Sequence, residues 1–203
     1  MRKVLDTPDK LSRQMQPVFP IYRHLSAAKN PRLQIFARLK KLNDMATNII
    51  FLITLLAYSI LVSQPFMYML ALKYAQSSLD IGPYMELRKL IDASMRKNFK
   101  YVIYTALLAN LLLVVLTAGN PGSLLFLAAT LSLITLIADV FITLKGNMPI
   151  NDMINTWTPE RYPADWTDYR ERWFRFLGYR GVLSMIGFTG LLVAAVFGMP
   201  AGM

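Results

Sequence analysis

The sequence contains no cysteine and a single histidine, His24. Without cysteine the chain can form no disulfide, no thiolate nucleophile and no cysteine metal site. His24 lies outside every long apolar segment, which excludes a haem bound by two histidines within a helix bundle and also excludes a histidine-rich metal site. The sequence therefore predicts a protein without a metal or other cofactor.

Charge is also scarce, because charged residues make up 17% of the 203 residues and hydrophobic residues 55%. A helix needs about 20 apolar residues to cross about 30 Å of hydrocarbon. Four segments approach or reach that length, and Asp139, in the third, is the one charged residue within them. The sequence predicts an all-α integral membrane protein, an antiparallel four-helix bundle with spans at Ile49–Leu72, Tyr101–Ala118, Leu124–Leu144 and Val182–Met199.

Two long polar connections separate the spans, and each is predicted to contain an amphipathic interfacial helix. In Lys73–Lys100 the periodic stretch Tyr84–Phe99 predicts a helix outside the bilayer. In Lys145–Arg180, aromatic residues at helical spacing from Trp166 onward predict an interfacial helix that runs directly into the fourth span. The expected local contacts there are an N-cap at Asp165 and the i,i+4 ion pairs Asp168/Arg172 and Glu171/Arg175.

Three local patterns refine the expected bundle. Pro65 follows Gln64 in the first span and predicts a kink near Ser63 to Pro65, because proline removes a backbone donor. The uncharged run Gly119–Gly122 predicts a tight turn between the second and third spans. The spacing Gly190, Ala194, Gly198 allows close helix approach, either inside the bundle, which we favour, or in a homodimer.

The N-terminal 46 residues form a basic tail, with ten Lys/Arg against three acids, before a transmembrane domain at 47–203. Within the tail, Arg32–Leu42 can form a basic amphipathic helix. An interfacial anchor and a loosely ordered tail both fit this pattern. Translation from Met45 would make the preceding residues an upstream extension.

Positive charge indicates the orientation. Each long connection carries six Lys/Arg and the short hairpin none, which predicts that both connections are cytoplasmic and that the protein lies in the cell (inner) membrane. The basic tail then lies on the opposite side, against the same rule. The net charge of +10 is explained by contact with anionic membrane lipid, and no nucleic-acid partner is expected.

Candidate site residues fall at one end of the predicted bundle. Asp139 is an intramembrane carboxylate, which is a functional-site hypothesis by default, although it can instead pair with an arginine of the following connection. Gln64 and Asn110 can contribute amide groups to the same interior or join helices by hydrogen bonds. With Asp139 and Gln64, the polar stretch after the third span and the aromatic helix add four further substrate-binding candidates: Asn151, Asn155, Trp173 and Arg180.

We expect Asn151 and Arg180 to belong to one polar site. Asn151 follows the third span and Arg180 precedes the fourth, so antiparallel packing brings both to one membrane face. The alternative is that these side chains cap helices and form an aromatic belt at the membrane surface.

These features resemble the anthrone-oxygenase-like family of four-helix integral membrane proteins, over about residues 47–199. The resemblance rests on the kinked first span, the long polar connection, the tight hairpin, the Asn-x-Pro-Ile-Asn motif at Asn147–Asn151 and the Trp-x₆-Arg pattern from Trp173 to Arg180. It implies oxidation of anthrones to anthraquinones without a recognised metal or flavin. Leu177 departs from the family pattern, since many members carry a histidine or asparagine there, and this weakens the expectation of oxygenase activity.

Two functions therefore remain open. The first is binding, with oxidation as a further step, of a small hydrophobic or aromatic molecule in a polar pocket at the membrane face. The second is a non-enzymatic membrane subunit or scaffold that contacts lipid or a partner protein. An enclosed pocket joining Asn151, Arg180 and Asp139 would favour the first, whereas a filled bundle with these groups facing water would favour the second.

Overall fold

The computed structural model describes residues 31–198, all of which are helical apart from short connections. Within this range the chain contains no β-strand, and an isolated bridge pairs Thr158 with Arg161. The helices are α1 (Pro31–Met67), α2 (Lys73–Ser77), α3 (Ile81–Thr117), α4 (Leu124–Ile142), α5 (Met148–Asn155) and α6 (Trp166–Phe197). Two π-helical turns, Tyr68–Leu72 and Thr143–Asn147, join α1 to α2 and α4 to α5 without a break.

Four continuous helical segments are long and apolar enough to cross a membrane, namely Pro31–Ser77, Ile81–Thr117, Leu124–Asn155 and Trp166–Phe197. This confirms the predicted all-α membrane fold. The predicted turn between the second and third segments is also present, and the Ser123 hydroxyl ends it by accepting a hydrogen bond from the Phe126 N–H at 3.2 Å. Such a side-chain acceptor satisfies a backbone donor at the start of α4.

The helices predicted in the long connections are extensions of the spans. The stretch Tyr84–Phe99 lies within α3, and the aromatic helix starting at Trp166 continues through α6 as expected. Asp165 stands at the N-cap position, but its side chain makes no capping hydrogen bond. The predicted ion pairs Asp168/Arg172 and Glu171/Arg175 are wrong, since neither is among the ion pairs of residues 31–198. All four side chains are exposed to solvent, where a pair gains little.

In the core near the middle of the bundle, hydroxyl and amide groups join α1, α3 and α4, and α6 packs on them. The Tyr58 hydroxyl donates to the Ser132 carbonyl at 3.1 Å and lies 2.9 Å from the Thr135 hydroxyl. Asn110 hydrogen-bonds to the Ser132 hydroxyl at 3.0 Å, so its role is to join α3 to α4. Gly187 of α6 packs directly on this group, because a Cβ there would collide with the Tyr58 and Thr135 hydroxyls.

Small residues of α6 face the inside of the bundle, which supports packing as their use. Ala194 is fully buried, and a Cβ added at Gly190 would lie 3.5 Å from the side chain of Leu131 in α4. Gly198 approaches only its own helix. Among the glycines of α6, the closest approaches to side chains of other helices are at Gly187 and Gly181, which the spacing pattern did not single out.

The π-helical turns place polar side chains in the interior. Such turns occur mostly as local widenings of α-helices, frequently at functional sites. The first follows Pro65 by three residues and buries Tyr68, and the second buries Asn147. Gly146 in the second turn allows the backbone to reach Phe176, because a Cβ there would lie 2.7 Å from that ring. Helix α1 continues through Pro65, and the kink near it stays a prediction.

The chain divides into two units between Ala46 and Thr47. Helix α1 begins at Pro31, so the predicted basic helix Arg32–Leu42 is helical, and its side chains are exposed. The preceding part of the basic tail, residues 1–30, lies outside the described residues, as do residues 199–203. The start at Met45 and the position of the basic helix on a membrane surface stay predictions.

Candidate functional site

A buried ion pair joins α4 and α6. The Arg180 Nε donates to the Asp139 carboxylate at 2.7 Å, and the two side chains are 8% and 7% exposed. Arg180 Nη1 also reaches the Asn147 side-chain oxygen at 3.5 Å. Removing two charges from water is costly, and a hydrogen-bonded pair offsets that cost. Asp139 is thus paired with Arg180, which precedes the fourth span predicted from the sequence.

Asn147 connects this ion pair to the neighbouring tryptophan. Its side-chain amide nitrogen donates to the Trp173 carbonyl at 3.0 Å while its oxygen faces Arg180. Both ends of the amide are therefore used to fix the second π-helical turn against α6. Asn147 begins the Asn-x-Pro-Ile-Asn motif, and Pro149 stands in the first turn of α5, directly after the π-helical turn.

A second polar group centres on Arg88 of α3. Its Nη2 donates to the Asn151 side-chain oxygen at 2.7 Å, and its Nη1 donates to the Tyr68 hydroxyl at 3.3 Å. The guanidinium carbon lies 3.8 Å from the Trp173 ring centroid, which is a cation–π contact. Gln76 also donates to the Tyr68 hydroxyl, at 3.3 Å. Arg88 is 2% exposed, so this charge is held in the interior.

Asp92, one helical turn after Arg88, hydrogen-bonds to the remaining polar groups. It accepts from the amides of Asn151 and Asn155, each at 2.8 Å, and from Arg96 Nε at 2.8 Å. Arg96 in turn pairs with Asp152 at 2.7 Å, and these two side chains are 40% and 61% exposed. The network therefore runs from a buried arginine to the solvent.

The structure groups the predicted site residues into two networks. Asp139 and Arg180 lie in one, and Asn151 and Asn155 lie in the other, where Asp92 holds both. Arg180 takes Asp139 and Asn147 as its partners, and Asn151 takes Arg88 and Asp92. Trp173 touches both networks, through its carbonyl and through its ring.

Gln64 makes none of these hydrogen bonds, and its side-chain oxygen is buried without a partner. The following residue, Pro65, packs against α6 next to Arg180, since a Cβ added at Gly181 would lie 3.3 Å from it. Native proteins leave few buried polar groups unpaired, and each such group calls for an explanation. Six side-chain atoms of the described residues share this property: Gln64 Oε1, Gln76 Oε1, Tyr84 OH, Arg88 Nε, Thr130 Oγ1 and Trp173 Nε1.

Sequence reasoning missed Arg88, Asp92, Tyr68 and Gln76. A signal was present, because Tyr84, Arg88 and Asp92 recur every four residues and so share one helix face. The sequence predicts this stretch as a helix outside the bilayer, and in the structure all three side chains are buried. The periodicity located the stripe but did not reveal that α5 and α6 cover it.

Leu177 lies between Trp173 and Arg180 on α6, where the sequence resemblance implies a histidine or asparagine. It is 2% exposed and belongs to a cluster that includes Tyr68, Tyr84 and Trp173. An aliphatic side chain therefore fills space among aromatic rings. Among residues 31–198, no three His, Asp or Glu side chains are grouped in a way that could hold a metal ion.

Comparison with known proteins identifies the family. The model of the family described as anthrone oxygenase matches residues 88–190, from Arg88 in α3 to Gly190 in α6. The match excludes the first apolar segment, which the sequence resemblance had included. Neither the curated proteins nor the solved structures yielded a match. Because the family match spans half of the chain, the chain belongs to the anthrone oxygenase family.

Proposed function

We propose that this membrane protein binds a small hydrophobic or aromatic molecule beside the Asp139–Arg180 ion pair. The observation that carries the proposal is that two of the residues singled out in the sequence, Gln64 and Trp173, each keep a buried polar atom without a partner. The Trp173 indole N–H is a donor and the Gln64 side-chain oxygen is an acceptor. A ligand with a carbonyl or hydroxyl group on an aromatic ring system would pair with such groups.

Several features support a ligand site over a scaffold surface. Asp139 and Arg180 are buried, so the outcome that would favour the scaffold is not met for them, while Asn151 lies in the other network and does not join them in one site. Ligand sites in proteins are mostly apolar and aromatic, with a few placed polar groups. Tyr68, Trp173 and Leu177 supply the apolar part of such a site here.

Oxidation is the reaction that the family name suggests. In that reaction the anthrone methylene carbon loses two hydrogens and gains one oxygen atom of O₂, and the other oxygen atom leaves as water, so anthrone and O₂ give anthraquinone and H₂O. A buried donor such as the Trp173 N–H would stabilise negative charge developing on the anthrone oxygen. Leu177 supplies no polar group to this chemistry.

The test uses the purified protein in mild detergent with anthrone under O₂. We expect anthraquinone to form faster than in detergent alone, and Trp173→Phe to weaken anthrone binding about three- to tenfold through loss of one hydrogen bond. Trp157→Phe is the matched control, since both tryptophans are 3% exposed and belong to the same cluster. Absence of anthrone binding would favour the scaffold, and binding without turnover would leave a binding protein that is not an oxygenase.

We further propose that both long connections face the cytoplasm, in the cell membrane. Their excess of Lys and Arg over the uncharged hairpin supports this orientation. Labelling of single cysteines at exposed positions in the two connections tests it, as set out in the Discussion.

A further inference from the structure

Arg88 is a buried cation without a carboxylate of its own. Three ion pairs occur among the described residues, and Arg88 takes part in none of them. Its contacts are the Tyr68 hydroxyl, the Asn151 amide oxygen and the Trp173 ring, all of which are neutral. A buried charge is expensive unless it is paired.

The nearest acid along α3 does not supply this pairing. Asp92 is one turn away, but its two oxygens accept from Asn151, Asn155 and Arg96. The Asn151 amide stands between the two charges, with its oxygen on Arg88 and its nitrogen on Asp92. Asp92 thus holds Arg88 in position indirectly, through the Asn151 amide.

Unpartnered polar atoms surround the same arginine. Arg88 Nε has no acceptor, and neither has the Trp173 indole N–H against which the guanidinium stacks. The Gln76 oxygen and the Tyr84 hydroxyl are also unpartnered, and all four residues are at most 3% exposed. Gln76 and Arg88 donate to the same Tyr68 hydroxyl, and Tyr84 lies one turn before Arg88 on α3, so the four belong to one cluster.

We infer that Arg88 binds a negatively charged oxygen of an aromatic ligand, such as a phenolate, an enolate or a carboxylate. The inference rests on the proposed function and specifies the chemistry of its ligand. An oxyanion accepts from Arg88 Nε and from the Trp173 indole, which supplies the missing counter-charge. A hydroxyl group next to it on the ligand donates to Gln76, and the rings of Tyr68, Tyr84 and Trp173 contact the aromatic system.

The experiment compares two fluorescent probes that differ in charge, anthracene-2-carboxylate and its neutral amide. Binding to the full chain in lipid nanodiscs is measured after subtraction of the signal from empty nanodiscs. We expect the carboxylate to bind at least about tenfold more tightly than the amide, since hydrogen bonds to charged groups are the stronger ones. Arg88→Gln should reduce this ratio to near one while amide binding is retained.

Arg170→Lys is the matched control for a stacked arginine in the same cluster. Arg170 lies over the Trp166 and Tyr84 rings, but its hydrogen bonds go to the carbonyls of Gln76 and Leu79. The carboxylate-to-amide ratio of this variant should equal that of the parent. An equal fall of the ratio in Arg170→Lys and Arg88→Gln would overturn the assignment to Arg88.

Tyr84→Phe provides a second test in case Arg88→Gln does not fold. Removal of an unpartnered buried hydroxyl should leave the thermal midpoint of the ligand-free protein unchanged or higher. The same variant should bind the carboxylate about three- to tenfold more weakly. A lower midpoint with unchanged affinity would show a purely structural hydroxyl and contradict the inference.

The outcomes separate this inference from the function on which it rests. Equal affinity of the parent for both probes would reject the role of Arg88 and leave aromatic binding intact. Binding of neither probe would reject both. A carboxylate preference that disappears in Arg88→Gln and persists in Arg170→Lys would establish the oxyanion site.

Discussion

Substitution of either partner of the Asp139–Arg180 ion pair should destabilise the fold strongly. In Asp139→Leu, the Arg180 guanidinium stays buried and loses its carboxylate, and the Asn147 oxygen at 3.5 Å is a weak substitute. In Arg180→Met, the carboxylate is left without a cation. Removal of one partner from a buried pair costs about 3–5 kcal/mol in the free energy of unfolding.

The double variant Asp139→Leu/Arg180→Met should be less destabilised than either single variant. It removes both charges, and apolar replacement of a buried pair is often neutral or better. The two single losses would therefore exceed the double loss by a coupling energy of about 3 kcal/mol or more. Ligand binding beside the pair should be lost even where stability recovers.

The assay is reversible denaturation in mixed micelles, followed by tryptophan fluorescence and analysed as a double-mutant cycle. Asp152→Asn is the control, because it breaks an ion pair whose side chains are 40% and 61% exposed. Its cost should stay below about 1 kcal/mol. A double variant whose cost equals the sum of the two single costs would refute the coupling, and with it the ion pair as the element that joins α4 to α6.

Three further predictions concern packing, the tail and orientation. Gly187→Ala should lower the free energy of unfolding by about 1–3 kcal/mol, since its Cβ would meet two buried hydroxyls. Gly190→Ala, whose Cβ would make an ordinary contact at 3.5 Å, should cost less, and equal denaturation midpoints of the two variants would contradict this prediction. Deletion of residues 1–44 should leave insertion and stability unchanged if Met45 is the start, and loss of folded protein would show a structural tail. Ser78→Cys and Thr158→Cys, in a chain without cysteine, should react with impermeant maleimide from the cytoplasmic side, and reaction of both only from outside would reverse the orientation.

The bundle was predictable because membrane helices satisfy their backbone groups locally and need only apolar length. Four apolar segments therefore identified four spans, and an uncharged glycine-proline run identified the hairpin. Helix ends were harder to predict, because α3 and α6 continue past the bilayer length without a stop signal. Charged residues of the helix predicted outside the bilayer are partly buried against α5 and α6, as Arg88 and Asp92 show.

The partners of the site residues could not be read from the sequence. The topology predicts that Asn151 and Arg180 lie on one membrane face. It does not predict their partners, because a shift of about one residue in the rotation of a helix about its axis turns a side chain towards a different neighbour. The second π-helical turn inserts such a change between α4 and α5, and it gives Arg180 the Asn147 oxygen while Asn151 reaches Arg88. No residue pattern in Thr143–Asn147 specifies a π turn, although Gly146 permits the close approach to Phe176 that the turn requires.

Trp173 gives the two networks a common element while keeping them chemically separate. Its carbonyl belongs to the backbone and binds Asn147, and its ring belongs to the side chain and contacts Arg88. A substitution at Trp173 therefore changes the Arg88 contact directly but leaves the Asn147 anchor available, because every residue carries the same carbonyl. Structural support for Arg180 and ligand contact at Trp173 can accordingly be tested independently. This separation explains how one tryptophan can serve the fold and the proposed ligand site, with its indole N–H still unpartnered.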